Sequence, residues 1–92
     1  MKTFKDVSWK QHRLGKGNIQ GLLKLDNGIE LSIVAGTGMY SAGKTGVRGA
    51  VDNVEDVSSF EVAAIDVDGK FLGDPKGWQS REDINELIKL LS

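Results

Sequence analysis

The chain contains no cysteine and a single histidine. The first absence excludes a disulfide framework, a thiol nucleophile and a cysteine-ligated zinc site, and the second excludes a multi-histidine metal centre. No stretch approaches the 18 or so consecutive apolar residues of a membrane span, and the N-terminus lacks the apolar segment of a secretory leader. The formal net charge is −1, so no global field draws the chain to nucleic acid or to an anionic membrane. A soluble cytoplasmic protein without cofactor or metal is the expectation. Its 92 residues form a single domain, 1–92, with room for one sheet and one or two helices over a thin core.

Charge and glycine are unevenly spread. Lys2, Lys5, Lys10, Arg13, Lys16 and Lys24 crowd the first 24 residues against Asp6 alone, whereas residues 52–68 carry only acids. Each patch can face a partner, or the two can neutralise each other across a sheet. Twelve glycines include Gly36, Gly38, Gly43, Gly46 and Gly49 within one long connection, residues 36–58. A connection longer than about 12–15 residues usually carries a function or is disordered. Asp52 is a candidate cap for a short helical turn there, with Val51, Val54 and Val57 facing inward.

The local patterns predict an α+β domain, an antiparallel meander of four to five strands with a C-terminal helix on one face. Strands are expected at residues 4–9, 30–35 and 60–67, with a short one at 70–72 after the Asp68-Gly69 turn. The hairpin at Asp26-Asn27-Gly28 has a register that follows from side-chain alternation. A two-residue loop would set Leu25 against Glu30 and mix apolar with polar on one face. A three-residue loop with Gly28 left-handed pairs Leu25 with Ile29, Leu23 with Leu31 and Gly21 with Ile33, and sets Lys24 opposite Glu30. At the C-terminus, Ser80 is a natural N-cap with Glu82 and Asp83 in the first turn. Ile84, Leu87, Ile88 and Leu91 then form one apolar stripe, giving a helix over 80–91. Trp78 is expected to pack near Ile84 at the start of this helix.

Residues 38–45 match the phosphate-binding pattern G-x-x-x-x-G-K-[ST], through Gly38, Gly43, Lys44 and Thr45, after a plausible strand. Asp66, ending an apolar strand, resembles a magnesium-holding acid. The motif needs a helix beginning at the Lys-Thr pair to aim its positive end at the anion. Gly46 and Gly49 fall where that helix would run, each costing about 1 kcal/mol relative to alanine. Nucleotide or phosphate binding is therefore the alternative reading. A further alternative is weak nucleic-acid binding by the basic N-terminal segment, with Trp9 as stacking platform and His12 among its bases. His12 has no nucleophile placed beside it, and no catalytic residue is assigned.

The segments Asp26-Asn-Gly-Ile-Glu-Leu-Ser-Ile-Val34, Met39-Tyr-Ser-Ala-Gly43, Phe60-Glu-Val-Ala-Ala-Ile-Asp66 and Gly77-Trp-Gln-Ser-Arg-Glu-Asp-Ile84 resemble small uncharacterised proteins of tailed bacteriophages. In those similar sequences the loop is Tyr/Ser/Gly-rich without the Gly-Lys-Thr ending, and segment 47–58 departs from their shorter pattern. The resemblance implies a phage accessory protein with no defined activity. The leading expectation is accordingly a non-catalytic protein that binds another protein, displaying Tyr40, Lys44 and Arg48 on its glycine-rich loop.

Overall fold

The computed structural model describes residues 2–12, 15–43 and 46–92, so Arg13, Lys44 and Thr45 lie outside the described residues. Among these the chain forms strands β1 (Ser8–Gln11), β2 (Asn18–Lys24), β3 (Glu30–Gly36), β4 (Ala42–Gly43), β5 (Val57–Ile65) and β6 (Lys76–Gln79), then helix α1 (Arg81–Leu91). All pairings are antiparallel. The order is β1-β2-β3-β5, with β4 and β6 both on β5. This is the expected α+β architecture.

The hairpin register is the one the alternation predicts. Leu23 pairs with Leu31, Gly21 with Ile33 and Lys24 with Glu30. Gly28, at φ 91°, closes the three-residue loop, and its N–H donates to the Leu25 carbonyl at 3.0 Å. Because side chains alternate across a strand, Ile19, Leu23, Leu31, Ile33, Phe60 and Val62 all fall on one face and are buried. Helix α1 covers that face. Its Ser80 cap and Asp83 form a reciprocal capping box, and Ile84 and Ile88 are fully buried while Leu87 and Leu91 flank them at the margin.

The N-terminus differs from the expected strand. Residues Phe4–Asp6 form a 3-10 turn, capped by Thr3 with Asp6 reaching back to the Thr3 N–H, and the strand begins only at Ser8. The turn tucks Phe4 beneath the helix, where its N–H donates to Asn85 Oδ1 at 2.8 Å. Phe4, Trp9 and Phe60 meet with ring centroids 5.3 to 5.7 Å apart. Arg81 seals this cluster, its guanidinium lying over Phe4 and Phe60 and donating to the Val57 and Val54 carbonyls at 2.8 Å.

Three further expectations change. Residues 70–72 contribute one isolated bridge, Ile65 to Phe71, instead of a strand. The short 3-10 turn in the long connection is Val54–Asp56, and its cap position, Asn53, makes no side-chain bond. Asp52 instead accepts from the Gly17 N–H at 3.3 Å, tying the connection to the β1–β2 turn. Val51 and Val57 do face inward, as expected, and Val54 packs at the margin.

Candidate protein-binding site

Beyond β3 the chain turns sharply. Gly36 has φ 135°, and a Cβ there would lie 2.2 Å from the Gly17 carbonyl oxygen, so only glycine fits. The Met39 N–H donates to the Gly36 carbonyl at 3.1 Å, and the Gly36 N–H donates to the buried Ser41 hydroxyl at 3.0 Å. Met39 and Ser41 point inward and Tyr40 points out.

Tyr40 is fixed through its backbone at both ends. Its N–H donates to Glu61 Oε1 at 2.9 Å, and its carbonyl accepts from the Trp78 N–H at 2.9 Å. The second bond exists because β6 carries a bulge: Phe60 pairs with Gln79 and Val62 with Lys76, leaving one extra residue on β6. Trp78 occupies the bulge at φ 57°, alone among the described non-glycine residues in having positive φ. Gly77 supplies the close approach, since a Cβ there would sit 2.5 Å from the Tyr40 Cβ.

The outcome is a surface cluster of three side chains. The Trp78 and Tyr40 rings lie 6.2 Å apart and are 52% and 55% exposed. Arg48 stacks its guanidinium 4.9 Å from the Tyr40 ring centre, with its Nε donating to the Met39 carbonyl at 2.9 Å. Tyr40 and Arg48, two of the loop residues expected to face a partner, thus lie side by side, whereas Trp78, expected to pack near Ile84, is exposed and stands against Tyr40. The signal was Gly77-Trp78, a glycine beside a large aromatic ahead of a helix cap.

The other candidate residues are not brought together. Gly38 has open space around it, and Gly43 ends β4 opposite Val57. Asp66 follows the far end of β5, about 30 Å from Val57 along nine residues of strand, in a domain whose longest dimension is 34 Å. Its carboxylate accepts from the Asp68 and Lys70 N–H groups at 2.9 Å, closing the turn after β5. Residues 46–53 contain no helix, and β3 runs antiparallel to β5.

In the N-terminal segment, Trp9 is half-buried, its ring packed against Phe4 and Phe60 in the core cluster. Lys10 and Lys16 line an open concavity of about 500 Å³ that also holds Asp52 and Glu55, so its charges oppose one another. Two ion pairs occur among the described residues, Lys2 with Asp26 and Lys89 with Glu86. The basic and acidic patches therefore do not neutralise each other by direct contact within the described chain. Also among the described residues, no three His, Cys, Asp or Glu side chains converge as a metal site requires, and no helix is long and apolar enough to cross a membrane.

Comparison with protein-family models, curated proteins and solved structures returns no match for this chain.

Proposed function

We propose that this is a non-catalytic accessory protein that binds another protein, with Tyr40, Trp78 and Arg48 as the anchor. The observation that carries the reading is the left-handed backbone of Trp78. Holding a bulky residue there costs on the order of 1–3 kcal/mol, and such strain concentrates where a fold presents a functional group. Here it presents an indole to solvent beside a tyrosine and an arginine, the three residue types most enriched among interface anchors. The stacked arginine is already desolvated on one side and keeps its remaining donors for a carbonyl or carboxylate of the partner. The resemblance to phage accessory proteins supports a role in the cytoplasm of an infected bacterium.

The test is affinity capture from infected cells with the natural chain, Tyr40→Ala and Trp78→Gly, followed by calorimetry with the captured protein. Glycine accepts φ 57°, so the second variant removes the indole without adding strain. Each variant is expected to weaken binding at least tenfold, about 1.4 kcal/mol. Unchanged capture by both refutes the site. A saturable heat with magnesium and ATP, abolished by Lys44→Ala, would instead establish the nucleotide reading.

A further inference from the structure

The sheet face opposite the helix is uncovered, and its charges are arranged with a symmetry that suggests what covers it. On this face the register aligns three rows. The first runs Lys10, Gln20, Val34, Glu61 across β1, β2, β3 and β5. The second runs Ser8, Leu22, Ser32, Ala63, and the third runs Lys24, Glu30, Ile65 from β2 to β5. No residue in these rows is buried, in contrast to the alternating positions beneath the helix. Within these rows bases occupy only β1 and β2, acids only β3 and β5, and the middle row is uncharged, with Leu22 flanked by serines and alanine. Lys24 and Glu30, although opposite each other, do not form an ion pair, and neither does Lys10.

We infer that a second copy of this chain docks here, face to face, about a twofold axis parallel to the strands and running between β2 and β3. That operation exchanges β1 with β5 and β2 with β3 while leaving each row opposite itself. Lys10 then meets Glu61 of the second copy, and Lys24 meets Glu30 of the second copy, each twice by symmetry. The middle row sets Leu22 against Ser32 and Ser8 against Ala63, a flat contact that lets the sheets close to the usual ~10 Å. No like charges oppose each other. A twofold axis perpendicular to the strands would instead put Glu30 on Val34 and Glu61 on Ile65, burying carboxylates against apolar side chains, which is costly without a partner. Charge placement therefore selects one of the two face-to-face arrangements.

Four strands of about seven residues present roughly 450 Å² per copy, a little under the smallest interfaces of stable complexes, so the dimer is a weak, reversible one. It shares Glu61 with the Tyr40 anchor but does not include the Trp78 indole, and it stands whether or not that cluster binds a partner.

Charge reversal tests the arrangement. Sedimentation equilibrium up to about 1 mM protein at low salt is expected to show a monomer–dimer equilibrium that weakens as salt rises. Lys24→Glu and Glu30→Lys should each raise the dimer dissociation constant at least tenfold, because symmetry doubles every like-charge contact. An equimolar mixture of the two should associate as tightly as the natural chain, within about threefold, because each altered side chain then faces its complement. Lys10→Glu, whose cross-strand neighbour Gln20 is neutral, should give the same loss without a like-charge cross-strand pair in the sheet. A natural chain that stays monomeric at that concentration, a dimer indifferent to these changes, or a mixture no tighter than its components overturns the inference. Circular dichroism and NMR spectra of each variant confirm that the fold is retained.

Discussion

Gly77→Ala is the sharpest perturbation of the candidate site, because it adds one methyl group and deletes nothing. Gly77 does not have a positive φ, so alanine is compatible with its backbone. In an open position the change would stabilise the chain by about 0.4–1 kcal/mol through the unfolded state. The new Cβ, however, would lie 2.5 Å from Tyr40 Cβ and 3.2 Å from the Tyr40 carbonyl oxygen. Relief to ordinary carbon contact requires a shift of about 1 Å. Such a shift stretches the 2.9 Å Trp78-to-Tyr40 backbone bond and disturbs the contacts of the Tyr40 ring with Trp78 and Arg48. Overpacking of this kind costs about 1–3 kcal/mol. Urea unfolding should show that loss, and thermal melting a fall of several degrees at about 4–8 °C per kcal/mol for a domain of this size. The cause is checked by repeating the substitution in Tyr40→Gly, which has no Cβ to collide with. There Gly77→Ala should cost less than about 0.5 kcal/mol, a coupling of at least about 1 kcal/mol between contacting sites. An equal cost in both backgrounds, or none in either, would show that the tyrosine does not rest on the glycine.

Other consequences follow from the packing. Ile88→Ala, at a fully buried position of α1, should destabilise the domain by about 2–5 kcal/mol, whereas Leu90→Ala, 79% exposed, should change stability by less than about 0.5 kcal/mol; denaturant titration separates them. Arg81→Met keeps the aliphatic packing over Phe4 and Phe60 but loses two charged hydrogen bonds to backbone carbonyls. The expected cost is about 1.5–3 kcal/mol per such bond at most, read from the same titration, and a neutral result would place the guanidinium in solvent. Asp66→Asn should leave any capture of partner protein unchanged, because its carboxylate serves only the turn after β5, and proteolysis of that turn should report the weakened closure.

The parts of the fold legible in the sequence were those whose causes are local. The three-residue loop at Gly28 followed from alternation alone, since only that register keeps Leu23, Leu25 and Leu31 on one face. The helix followed from a cap and a stripe. The 3-10 turn at Phe4–Asp6 was equally local, because Thr3 and Asp6 stand at capping-box spacing, but the apolar positions Phe4, Val7 and Trp9 suggested a strand more strongly. Strands β4 and β6 were not legible. They hold two and four residues, with glycine in each, and exist because β5 offers them an edge.

The same distinction governs the site. Tyr40 and Arg48 belong to one loop and stand in the sequence as an aromatic and a base among glycines, whereas Trp78 joins them from a separate strand through a bulge defined by its pairing with β5. Glu61 shows how closely the two surfaces are coupled in the fold. On β5 it alternates with the buried Phe60 and Val62, so it projects from the open face of the sheet, where one carboxylate oxygen holds the Tyr40 N–H. A carboxylate accepts through both oxygens, so the second remains available to a lysine approaching that face. Loss of the Glu61 carboxylate therefore removes an anchor from the aromatic cluster and a charge from the open face at once, while Lys24 and Glu30 act on the open face alone.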